Sequence, residues 1–243
     1  MSKKLQLNSI YPTYQGEVNV RGIGAPVIFL RLQGCHLRCY KKTLGELCDT
    51  PESLERDNEK SLSVEVIVGK VNKVRKETGI DFICLTGGDP LWNDKDELHK
   101  LFKLLDKEGY TVSIETSGTI SAKDFDYPNL FWVFDYKLKS AGVKIPFNKD
   151  NYIMGNSYLK MVIYDKDDLE EALKHTREIV EDNIPITVAV GNYWGGKIPY
   201  PQITEAFLKD GLGAHVVFNA QIHKLITHSD NSDVSLTRIP KLL

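Results

Sequence analysis

The sequence predicts an α/β fold built on a mainly parallel sheet. Short β-branched, apolar runs alternate with stretches whose apolar residues recur at helical spacing, the pattern of βαβ units. The runs are continuously apolar, as in strands buried on both faces. Polar and glycine-rich clusters follow the strands, where open α/β sheets carry their chemistry.

Taken in order, Val27-Ile28-Phe29-Leu30-Arg31-Leu32 reads as the first core strand. Val64, Ile67, Val68, Val71 and Val74 then recur as one helical face, which Thr78-Gly79 closes. Asp81–Leu85 is the next strand, and Leu98, Leu101, Phe102 and Leu105 mark a helix stopped near Gly109. Tyr110–Ile114 and Leu130–Phe134 read as strands, followed by a strand at Leu159–Ile163, a helix over Leu169–Glu181 and a strand at Ile186–Val190. His215–Phe218 is the last strand. The chain shows no internal repeat, low-complexity tract or linker, so its 243 residues are expected to form one domain over 1–243. Within it, the polar stretch Asp49–Ser61 reads as an insertion, spanning about residues 40–62 with its flanks.

Lys plus Arg total 31 against 33 Asp plus Glu, a balance that speaks against a general nucleic-acid or membrane-surface partner. The first residues, Met1-Ser2-Lys3-Lys4-Leu5-Gln6, lack the apolar run of a secretory signal, and no stretch approaches the ~20 apolar residues of a membrane span. A soluble, cytoplasmic protein is expected.

The polar clusters after the strands are Gln33-Gly34-Cys35, Thr86-Gly87-Gly88, Glu115-Thr116-Ser117-Gly118 and Asp135-Tyr136-Lys137. Turn formation explains the glycines but not the thiols, Glu115 or Lys137. Of four cysteines, Cys35, Cys39 and Cys48 fall within 14 residues, and Cys84 sits in an apolar strand as a packed thiol. In a reducing compartment such a cluster points to a metal or redox site rather than a disulfide framework. Three thiolates would hold zinc with a fourth ligand, or an iron–sulfur cluster with one iron left open. The C-x3-C-x8-C spacing alone leaves both possible. His36, between the first two cysteines, reads as a residue filling loop space.

Cys35-x3-Cys39 after a strand, with Gly87-Gly88-Asp89-Pro90 after the next, resembles the radical S-adenosylmethionine (SAM) enzymes. Within them the chain is most similar to the branch that makes 7-carboxy-7-deazaguanine for queuosine and other deazapurines. The similarity begins at Tyr11-Pro12-Thr13-Tyr14-Gln15-Gly16-Glu17 and runs through Phe29–Cys35, Cys48-Asp49-Thr50, Leu85–Leu91 and Glu115–Thr119. It ends at Gln221-Ile222-His223-Lys224, six pieces in one order. The chain departs from the pattern in its x8 gap where x2 is usual and in Asp89 where glutamate is usual. Val18 also stands where glycine is usual, and Asp135-Tyr136-Lys137 where Ser-Pro-Lys is common.

The resemblance implies a partial (β/α) barrel and a [4Fe–4S] cluster on Cys35, Cys39 and Cys48, with SAM on the open iron. It implies SAM contacts from Gly88, Glu115, Ser117, Asp135 and Lys137. Substrate contacts would come from Tyr14, Gln15, Gly16, Glu17, Arg31, Thr86, Gln221 and His223, and Thr50 would ligate Mg2+. The implied reaction is conversion of 6-carboxy-5,6,7,8-tetrahydropterin to 7-carboxy-7-deazaguanine with release of ammonia, begun by hydrogen abstraction from C6 by a 5′-deoxyadenosyl radical. A low-potential donor of the flavodoxin or ferredoxin type and a homodimer are implied with it. Arg31 stands out in its own right, because an unpaired guanidinium inside an apolar strand is costly; a structural ion pair is the alternative. Two rivals remain: a glycyl-radical activating enzyme, against which the Gln-Gly-Glu opening and Gln-x-His end argue, and a zinc-binding interaction module without catalysis.

Overall fold

In the computed structural model, residues 4–45, 48–147, 149–152, 157–193 and 195–222 are described. They form one nine-stranded sheet with four α-helices. The strands are β1 (Leu5–Tyr14), β2 (Pro26–Leu32), β3 (Ser61–Leu62), β4 (Phe82–Gly87), β5 (Thr111–Thr116), β6 (Leu130–Tyr136), β7 (Ser157–Ile163), β8 (Thr187–Asn192) and β9 (Val216–Phe218). The helices are α1 (Val64–Thr78), α2 (Lys95–Lys107), α3 (Lys166–Glu181) and α4 (Tyr200–Lys209). The strand order is β3-β1-β2-β4-β5-β6-β7-β8-β9. From β2 to β9 all neighbours are parallel, while β1 runs antiparallel to both β2 and β3.

Every strand and helix expected from the sequence is present, and β1, β3 and α4 add to them. β1 escapes the apolar-run criterion because Asn8, Ser9, Pro12 and Thr13 interrupt it. Pro12 is tolerated there: β3 pairs only with Leu5 and Gln6, so beyond Gln6 the strand has an open edge that asks no hydrogen bond of a proline. α1, α2 and α3 start where a side chain caps them. Ser63 Oγ accepts from Val66 N, Asp94 from Asp96 N and Glu97 N, and Asp165 from Asp168 N. α1 ends at Gly79, whose φ of 75° makes the left-handed cap.

The sheet curls into a partial barrel. Seven strand spacings separate β1 from β9, about 34 Å in a flat sheet. Yet Ile222 N donates to Gly16 O at 3.1 Å and Val18 N to Asn219 Oδ1 at 2.7 Å, although these residues lie only a few positions beyond the strand ends, a reach of about 21 Å. The outer face is apolar: Leu30, Leu85, Ile114, Phe134 and Met161 pack with Ile67, Leu101, Phe102, Ile179 and Phe207 of the helices in one core. On the inner face Val18 packs on Val133 and Ala189 and plugs the barrel, so the valine in place of glycine has a structural task. Cys84 is fully buried beside Val27 and Phe82, a core thiol as expected.

Candidate functional site

The strands run further than their apolar residues do. β4 extends to Gly87, β5 to Thr116 and β6 to Tyr136, so Thr86, Glu115 and Asp135 are strand residues rather than loop residues. Register places Arg31 beside Thr86 and Asp135 beside Lys160. Their side chains, with the segment after β1, line one pocket at the carboxyl ends of the strands. Every site residue expected from the sequence lines it, except His223, which lies outside the described residues.

The cysteine loop is held from two sides. Gly34 N and Cys35 N donate to the carbonyls of Ser53 and Leu54, and Gln33 Nε2 donates to those of Glu52 and Glu55. The polar segment read as an insertion therefore clamps the start of the loop. Further on, Tyr40 N donates to Ala141 O at 2.7 Å, and Cys39 is buried against Tyr40 and Ala141. Cys48 Sγ lies 3.5 Å from Thr50 Oγ1. His36 stacks on Trp92 and meets Thr119 through Nε2 at 2.9 Å, so it fills loop space as expected.

Gly87 and Gly88 both line the pocket, and backbone packing alone already requires glycine at each. A Cβ on Gly87 would stand 2.0 Å from Leu32 O, and one on Gly88 would stand 2.3 Å from Gly34 O and 2.7 Å from Ser53 O. The glycines make room for the cysteine-bearing backbone itself. Asp89 fastens the arrangement: it accepts from Thr116 Oγ1 at 2.7 Å, from Ser117 Oγ and from Leu91 N. The Ser117 hydroxyl expected for SAM is thus engaged with Asp89, although Ser117 still lines the pocket.

All three pocket thiols are pushed above the usual cysteine range by burial, Cys48 up to about 12, with Asp49 adding to the effect there. Lys137 opposes this at each of them, and its own ammonium is held well above the ordinary lysine range, with Asp135, Tyr40 and the thiols outweighing the opposing effect of burial. Without a bound metal these thiols therefore stay protonated, and metal binding would deprotonate them. Among the described residues, no three His, Cys, Asp or Glu side chains converge as a single ion would require. Three soft donors lining one pocket, with Cys84 withdrawn into the core, suit a cluster that keeps one iron free of protein ligands.

The rest of the pocket lining is a charged lattice. Arg31 donates to Tyr11 Oη at 3.1 Å, lies over the Phe29 ring and forms no ion pair among the described residues. Among the described residues the structural salt bridge considered from the sequence is not formed, and the guanidinium lines the pocket. Glu115 accepts from Gln15 Nε2 and Thr86 Oγ1, both at 3.3 Å, and burial pushes its carboxyl up. Glu17 accepts from Lys160 at 2.5 Å and from Gln221 Nε2. Asp135 accepts from Lys137 at 2.9 Å and Lys160 at 3.0 Å. Lys137 is therefore paired with Asp135 and also lines the pocket. Lys160 was missed by the sequence reading, although a lysine in Leu159-Lys160-Met161-Val162-Ile163 is the same signal that singled out Arg31.

Residues 31–198 match the radical SAM superfamily. Among curated relatives, a 7-carboxy-7-deazaguanine synthase of Thermoplasma acidophilum is 32% identical, over 90% of this chain and 96% of the relative. That of Methanospirillum hungatei is 31% identical, over 93% and 86%. That of Leptospira interrogans is 29% identical, over 92% and 95%. With the curled parallel sheet and the thiol-lined pocket at its strand ends, these matches establish that the chain belongs to the 7-carboxy-7-deazaguanine synthase family of the radical SAM superfamily.

Proposed function

We propose that this chain converts 6-carboxy-5,6,7,8-tetrahydropterin to 7-carboxy-7-deazaguanine with release of ammonia. One observation carries the reading: a single pocket is lined by three thiols, by a guanidinium with no ion pair among the described residues, and by a carboxylate fixed through Lys160 and Gln221. Cys35, Cys39 and Cys48 would hold a [4Fe–4S] cluster, and Gly88, Glu115, Ser117, Asp135 and Lys137 would border SAM. When bound, cluster and SAM supply the carbon-centred radical chemistry.

The protein's own work is placement. Arg31, already steadied by Tyr11 and Phe29, offers a planar fork to the substrate carboxylate. Glu17, with Gln15 and Gln221 beside it, accepts from the amino and N–H groups of the pterin edge. Tyr14, Gly16 and Thr86 complete the walls. Val18, packed on Val133 and Ala189, gives the segment that carries Glu17 an apolar footing on the inner face. Thr50, buried next to Cys48, would give one oxygen to Mg2+, with the substrate carboxylate and water supplying the rest. Single-electron supply would come from a flavodoxin- or ferredoxin-type donor, and the working unit would be a homodimer of single-domain chains in the cytoplasm. Among the described residues no helix is long and apolar enough to cross a membrane.

The test is anaerobic turnover of the reconstituted protein with SAM, dithionite and the carboxypterin, with and without Mg2+, read by product mass. Formation of 7-carboxy-7-deazaguanine, faster with Mg2+, is expected. Radical transfer to a partner polypeptide without pterin turnover would instead mark a glycyl-radical activating enzyme.

A further inference from the structure

Lys160 sits at the crossing of two carboxylates on the inner face of β7. Its side chain is 6% exposed, and Nζ lies 2.5 Å from Glu17 Oε2 and 3.0 Å from Asp135 Oδ2. The two contacts differ in kind. Asp135 is its cross-strand partner on β6, part of the rigid sheet. Glu17 belongs to the irregular segment after β1, where no strand ladder fixes the side chain. Its carboxylate is fixed instead by Lys160 on Oε2 and Gln221 Nε2 on Oε1. A carboxylate offers about four lone-pair sites, so about two remain on Glu17, which lines the pocket.

We propose that Lys160 is a positioning residue for ligand recognition: anchored on Asp135, it holds Glu17 charged and in one orientation, so that the remaining lone pairs of Glu17 meet the amino and ring N–H donors of a pterin. This rests on the pterin reading above and adds the residue that makes it work. Around Glu17 stand Lys160 from β7, Asp135 from β6, Glu115 from β5, Tyr200 from α4 and Gln221. Burial pushes the Glu17 carboxyl up and Asp135 pushes it the same way, but Lys160 and Gln221 outweigh them and keep it below the usual range. Without the ammonium, burial and the two neighbouring acids are opposed only by Gln221, and Glu17 takes up a proton.

The experiment is calorimetric titration of the anaerobically reconstituted protein with 6-carboxypterin, between about pH 5.5 and 8.5. It compares wild type with Lys160→Met, Lys160→Arg and Glu17→Gln. Wild-type affinity should be flat across the range. Lys160→Met should bind about tenfold or more weakly near neutral pH, the loss of a charge-assisted hydrogen bond, and recover as the pH rises. Lys160→Arg should restore most of the affinity and the flat profile, and Glu17→Gln should be weak and flat. A weakened Lys160→Met with no pH dependence and no rescue by arginine would reduce Lys160 to a structural role, and a wild-type profile in that variant would overturn the proposal. Infrared spectra of 13C-glutamate-labelled protein, with Glu17→Gln as the reference, read Glu17 protonation without ligand. If wild type binds no pterin while Lys160→Met protonates Glu17, the pterin reading falls and the hold of Lys160 on Glu17 stands. If pterin binds but Glu17 stays ionised in Lys160→Met, the hold itself is refuted.

Discussion

A methyl group on Gly88 would meet two backbone carbonyls, 2.3 Å from Gly34 O and 2.7 Å from Ser53 O, where ordinary contact begins near 3.4 Å. Neither atom can swing aside as a side chain would, so the strand end and the cysteine loop must separate by about an ångström. That movement breaks Asp89 N···Gly34 O, now 2.9 Å, and strains Gly88 N···Leu32 O at 3.1 Å. Overpacking of this kind costs about 1–3 kcal/mol, and each lost hydrogen bond about 0.5–1.5 kcal/mol, so Gly88→Ala should destabilise by roughly 2–5 kcal/mol. For a chain of this size that lowers Tm by about 5–15 °C. The assay is thermal unfolding together with iron retention after anaerobic reconstitution, since the same movement displaces Cys35. Gly69→Ala is the control: it lies in α1 with nothing within 4 Å of the added methyl, and should gain up to about 1 kcal/mol from helix propensity. A Gly88→Ala protein with wild-type Tm and full iron content would refute the reasoning.

Further outcomes follow from the same geometry. Cys48→Ala should abolish iron retention and turnover, whereas Cys84→Ala, in the core, should lower Tm but keep the iron; iron analysis separates the two. Arg31→Lys should weaken 6-carboxypterin binding about tenfold, because an ammonium cannot reproduce the bidentate fork, while barely moving Tm. Glu115 has its folded pKa raised by burial, so its ionisation costs stability that is absent at low pH and grows as the pH rises past the ordinary glutamate value. Glu115→Gln should therefore match wild type near about pH 4 and gain on it toward pH 8 in urea midpoint; a pH-independent difference would contradict the assignment.

The outer half of this fold is legible in the sequence and the inner half only in part. Residues such as Leu30, Ile114 and Met161 face the helices, and their apolar runs announce the strands. Those runs stop at Leu85, Ile114 and Phe134, but the strands continue through Thr86, Glu115 and Asp135, because polar residues on the inner face serve the pocket rather than the core. Arg31 was visible because one charge stood alone in an apolar run. Lys160 carried the same signal and was passed over, since its partners Glu17 and Asp135 are distant in sequence and meet it only once the sheet curls. The packing at Gly87 and Gly88 was also hidden: the sequence shows that small residues are needed there, but not that the neighbours are the Leu32 and Gly34 backbones.

The central claim is that three thiols hold a cluster with one iron left for SAM, and electron paramagnetic resonance tests it most directly. Reconstituted without oxygen and reduced, the protein should contain about four irons and four sulfides per chain and give a reduced-cluster signal that changes shape when SAM is added. One zinc per chain without sulfide, or a cluster signal indifferent to SAM, would contradict it.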